Sequence, residues 1–81
     1  MMDYSNKGIL TMLQDLQRIH FGSVSIYVDV TLSEGDPIVA CTVFDKDDEP
    51  HCFSFYSYES DDVHKKEYIN AIEIINAAAS A

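Results

Sequence analysis

Val24-Ser25-Ile26-Tyr27-Val28-Asp29-Val30-Thr31-Leu32 places an aliphatic residue at every even position and a polar or amphipathic one at every odd position. That period of two is the mark of a strand with one buried face. Working outward from it, Ser33-Glu34-Gly35-Asp36-Pro37 supplies a turn. Gly tolerates positive φ there, and Pro37 cannot donate a ladder hydrogen bond. A second strand is predicted over 38–44. With an even number of loop residues, the buried face of the first strand continues onto Val39, Cys41 and Val43, leaving Ile38, Ala40, Thr42 and Phe44 on the other side.

Asp45-Lys46-Asp47-Asp48-Glu49-Pro50 is the most polar run in the chain and reads as an exposed loop between antiparallel strands. The third strand is predicted over 51–58, with Phe53 and Phe55 inside and Cys52, Ser54, Tyr56 and Tyr58 outside.

A helix precedes the strands and another follows them. Between Ser5 and His20 the apolar residues Ile9, Met12, Leu13, Leu16 and Ile19 fall at helical spacing. Ser5 or Asn6 can cap the start and Gly22 suits a left-handed stop, while Gly8 weakens the first turns. The second helix is predicted over 62–78, capped by Ser60 or Asp61. Its stripe follows Tyr68, Ile72, Ile75 and Ala79, widened by Ile69, Ala71, Ile74 and Ala78. The run Ala77 to Ala81 has little to hold it and is expected to fray.

The order helix, three-strand meander, helix, joined by short connections, implies one α+β domain over 1–81. Its two-layer sandwich places both helices on one face of an antiparallel sheet, recruited by the aliphatic side of the first strand. Size scaling for 81 residues gives a radius of gyration of about 12 Å. With 47% hydrophobic residues, the chain can fill one core.

Charge is the informative bulk property. Five basic residues against fourteen acids give a net charge of −9. The window from Asp29 to Asp62 holds Asp29, Glu34, Asp36, Asp45, Asp47, Asp48, Glu49, Glu59, Asp61 and Asp62 against Lys46 alone, and elsewhere acids and bases balance. Such a field repels phosphate backbones and anionic membranes and attracts basic surfaces. The meander sets Glu34, Asp36, Glu59, Asp61 and Asp62 at one end and Asp45 to Glu49 at the other. A strand of eight residues separates these poles by roughly 25 Å.

The chemistry-bearing motifs are few. Cys41, Cys52, His51 and His64 show neither Cys-x-x-Cys nor His-x-x-x-His spacing, so they read as buried thiols and surface imidazoles and not as zinc ligands. The run from Asp45 to Glu49 lacks the central Gly and terminal bidentate Glu of a calcium-binding loop. There is no Gly-rich phosphate loop and no Gly-x-Ser-x-Gly. The expectation is a protein without catalytic residues, cofactor or metal.

The element order is similar to that of double-stranded RNA-binding domains, and Lys65-Lys66 sits where such domains carry basic residues. Asp61-Asp62, Glu67 and the net charge oppose the phosphate attraction that family needs. In size and acidity the chain resembles DNA-mimic and anti-CRISPR proteins of phages and mobile elements. That resemblance implies a cytoplasmic inhibitor that docks on a basic protein surface, such as the nucleic-acid-binding site of an enzyme, and contacts no nucleic acid or membrane itself. Candidate contacts are Asp45, Asp47, Asp48 and Glu49 with Glu34, Asp36, Asp61 and Asp62, beside the aromatic residues Tyr27, Phe44, Tyr56 and Tyr58. The alternative is a structural homodimer or small assembly subunit joined through that aromatic sheet face. The opening Met1-Met2-Asp3-Tyr4-Ser5 has no basic and apolar signal pattern.

Overall fold

The computed structural model describes residues 3–80, apart from the side chain of Ser33. Met1, Met2 and Ala81, which belong to the opening and the alanine-rich end read above, lie outside the described residues. Five elements follow in order: α1 (Asn6–Ile19), β1 (Ser25–Ser33), β2 (Asp36–Phe44), β3 (Pro50–Tyr56) and α2 (Asp61–Ala79). The sheet is an antiparallel meander with β2 in the centre. The Cα radius of gyration is 12.3 Å, matching the size expectation.

Glu34 (φ 54°) and Gly35 (φ 87°) join β1 to β2 as a two-residue turn with both central residues left-handed, the conformation that follows the twist of a hairpin. Its even length sets the register: Ile26 faces Val43, Val28 faces Cys41 and Val30 faces Val39. On the other flank Cys41 faces Phe53 and Val39 faces Phe55. The expected register is thereby met, and Val24, Ile26, Val39, Cys41, Val43, Phe53 and Phe55 of the expected inward set are buried.

Ser5 caps α1 by accepting from the Gly8 N–H, and Ser60 caps α2 by accepting from the Val63 N–H, each satisfying a donor the helix cannot. Gly8 has a further reason to be glycine. A Cβ there would collide with the backbone carbonyl of Asp3, so the N-terminal segment packs back on the first turn of α1.

Ile9 and Leu13 of α1 and Tyr68, Ala71 and Ile75 of α2 form one core with Val24, Ile26, Val39, Cys41, Val43, Phe53 and Phe55. Both helices therefore lie on one face of the sheet. Their division of labour differs from the expectation that the opening strand recruits both. α1 packs on β1 and β2, whereas α2 packs chiefly on β3 and β2.

α1 also crosses the sheet diagonally. Near its start, Asn6 Nδ2 donates to the carbonyls of Pro37 and Phe55; near its end, Gln17 Nε2 donates to the carbonyl of Ile26. The crossing leaves the hairpin corner of β1 bare, so Val30 is exposed and Leu32 is 73% exposed. Ile19 likewise lies outside the core.

The α2 stripe is corrected too. The buried line is His64, Tyr68, Ala71 and Ile75, with Ile69 and Ala79 exposed. His64, expected at the surface, is 2% exposed. It shares the buried face because positions 64, 68, 71 and 75 repeat at helical spacing.

Candidate functional site: an open aromatic face between two acidic poles

The sheet face opposite the helices carries no covering element among the described residues. Its cross-strand rows follow from the register: Ser25, Phe44 and Pro50; Tyr27, Thr42 and Cys52; Asp29, Ala40 and Ser54; Thr31, Ile38 and Tyr56. Aromatic rings stand at the two ends with small and polar residues between them. At one end Tyr27 and Phe44 meet edge to face, centroids 5.8 Å apart; at the other Tyr56 and Tyr58 lie 5.3 Å apart at a 30° tilt. Tyr27 and Tyr58 are 62% and 75% exposed, whereas Phe44 and Tyr56 are half-buried. The four aromatic residues expected outside are all brought to this face or its rim.

The acids divide between the same two ends. Ser57 N–H donates to the Pro37 carbonyl, which sets the exit of β3 beside the entry of β2. Glu34, Asp36 and Glu59 and the Asp61-Asp62 start of α2 thus share one pole. A hollow of about 280 Å³ there is lined by Glu34, Asp36, Pro37, Ile38, Tyr56 and Tyr58, so carboxylates and phenol rings stand around one space. The Glu59 carboxylate is committed elsewhere, accepting from the Tyr56 N–H at 3.0 Å.

The opposite pole is built on Asp45. Its Oδ1 accepts from the backbone N–H of Asp47 at 2.8 Å and of Glu49 at 3.0 Å, and its Oδ2 lies 2.8 Å from His51 Nε2. The backbone closes the loop through Asp45 N–H to the Glu49 carbonyl and Asp48 N–H to the Asp45 carbonyl. The His51 hydrogen bond, then the backbone N–H groups, hold the Asp45 carboxyl below the usual carboxylate range. Asp45 is therefore the scaffold of this pole, while Asp47, Asp48 and Glu49 point to solvent.

The remaining chemistry-bearing residues do not converge. Cys41 is buried among the core strands and Cys52 is exposed on the open face, both as free thiols. Burial pushes the Cys41 thiol up to about 11. Among the described residues no three His, Cys, Asp or Glu side chains gather as a metal site, and no helix is long and apolar enough to cross a membrane. A hollow of about 550 Å³ runs beside β1 between Gln14, Gln17, Arg18, Phe21, Val24 and Tyr27. Its lining holds no paired acid and base.

Sequence reasoning missed the inward role of Asp45 and the His51 contact. An Asp opening a turn, two residues before a backbone N–H it can accept, is the signal for the first. Comparison with known proteins adds no relative: no family model matches the chain, and no curated protein or solved structure is significantly similar to it.

Proposed function

We propose that this protein is a small acidic binding module that docks its open sheet face on a basic protein surface, in the manner of inhibitors that offer carboxylates where a nucleic acid offers phosphates. The observation that carries this reading is the placement of the acids. They gather at the two ends of the three-stranded meander, whose open face carries an aromatic pair at each end. Aromatic side chains anchor an interface at small entropic cost, and the acids steer a basic partner into register. The hollow shared by Glu34, Asp36, Tyr56 and Tyr58 suits the side chain of an arginine or lysine, which gains from both carboxylate and ring face. A net charge of −9 disfavours nucleic acid as the direct partner.

The test is capture on the immobilised protein from host and competitor lysates at low and high salt, beside the Asp47→Lys/Asp48→Lys variant. A basic, nucleic-acid-binding protein lost at high salt and with the double reversal supports the reading. Retention under both conditions rejects it.

A second reading, a homodimer joined through the same face, draws on the exposure of Tyr27 and Tyr58. Sedimentation at several concentrations separates the two. A dimer predicts a concentration-dependent mass that Tyr56→Glu abolishes, whereas a module for basic partners stays monomeric as its charge keeps copies apart.

A further inference from the structure

His64 is buried, and both of its ring nitrogens meet backbone carbonyls. Nδ1 lies 2.6 Å from the oxygen of Tyr4, and Nε2 lies 2.7 Å from the oxygen of Tyr56. A carbonyl oxygen only accepts hydrogen bonds, so each contact is favourable only if that nitrogen carries a proton. The neutral imidazole has one N–H to give. Whichever tautomer it took, the other nitrogen would set its lone pair against an oxygen at hydrogen-bond distance.

Among the described residues the ring nitrogens meet these two carbonyls. The Tyr56 oxygen also accepts from the Glu59 N–H at 3.1 Å, which fixes it as an acceptor pointing into this corner. Phe55 packs near-perpendicular to the imidazole with centroids 5.8 Å apart and has no polar atom.

We infer that the folded protein carries His64 as the imidazolium, a proton-held latch that ties the N-terminal segment and the exit of β3 to the first turns of α2. Burying a cation is costly unless it is hydrogen-bonded, and here both donors are used in short, charge-assisted bonds. The start of a helix disfavours a cation, and Asp61 and Asp62 in that first turn counter the dipole.

The titratable groups on the packed elements are Asp3 and Tyr4 on the N-terminal segment, Lys7 opening α1, Tyr56 and Glu59 at the β3 exit, and Asp61, Asp62, Lys65, Lys66, Glu67 and Tyr68 on the first turns of α2. Lys65 Nζ sits 5.9 Å from the centre of the Tyr4 ring, and that ring meets Tyr68 edge-on at 6.1 Å. Among the described residues no carboxylate pairs with the His64 ring. The two carbonyls are thus the groups that hold the proton.

Long-range proton–nitrogen NMR on the intact protein tests this with no substitution, using His20 and His51 as internal references. At pH 7 both His64 ring nitrogens are expected to show protonated-type shifts. As pH is raised, the Ser5 and Ser57 amides, bonded directly to the two carbonyls, should shift in step with loss of the ring proton. An unprotonated His64 nitrogen at pH 7 overturns the inference, and so do Ser5 and Ser57 amides that stay still while the ring titrates.

Discussion

Asp45 and His51 meet across the second turn, with Asp45 Oδ2 2.8 Å from His51 Nε2. The same carboxylate takes two backbone N–H groups, so one side chain shapes the whole acidic loop. Asp45→Asn keeps an acceptor for the Asp47 and Glu49 amides and should retain the loop, whereas Asp45→Ala should open it. Amide shifts of residues 46–49 report the difference. Because the folded carboxyl is depressed, its contribution is complete above the ordinary aspartate value of about 3.9 and is lost as pH falls through the lower folded value. The loop amides should stay fixed on acidification until that range is passed.

The diagonal of α1 makes opposite predictions for two apolar residues. Phe55 is fully buried and Leu32 is mostly exposed. Phe55→Ala should remove about 3–5 kcal/mol of stability, a large share of the total for a small domain. Leu32→Ser should stay within about 0.5 kcal/mol of the parent. Urea unfolding of both variants reads this directly. A large loss at Leu32 would mean that the hairpin corner is covered.

Gly8 reverses the usual helix rule. Gly to Ala inside a helix normally stabilises by about 1 kcal/mol. Here a Cβ would displace the Asp3 backbone and, through it, Tyr4 from His64. Gly8→Ala should therefore lower the melting temperature.

The two thiols should differ in reactivity. Cys52 is exposed, and Cys41 is buried with its thiol held up to about 11. One equivalent of a thiol reagent should react in the native protein, at Cys52, and the second only on unfolding. Peptide mapping after labelling identifies the site.

The parts of the fold that were legible in the sequence are those governed by local rules. Alternation from Val24 to Leu32, a turn signal at Gly35 and Pro37, and cap candidates at Ser5 or Asn6 and at Ser60 or Asp61 outline the meander and the starts of both helices. The two-residue length of the turn and the choice of the serines as caps come from the structure. Alternation alone cannot say how a helix crosses a sheet. Val30 and Leu32 match Val24 and Ile26 in pattern and differ only in whether α1 passes over them. His64 was hidden by its charged neighbours Asp61, Asp62, Lys65 and Lys66, although its spacing to Tyr68, Ala71 and Ile75 placed it on the buried stripe. At the candidate site, the two acidic poles follow from strand order. The inward turn of Asp45 depends on hydrogen bonds that charge counting does not register.

The central claim is that acids flanking the open aromatic face recruit a basic protein. The measurement that tests it most directly is the association rate of the captured partner with the parent protein and with Asp47→Lys/Asp48→Lys, across ionic strengths. Steered association predicts a rate for the parent that falls steeply with salt, and for the variant a slower rate with a weaker salt dependence. Equal rates and equal salt dependence for the two proteins would contradict the account.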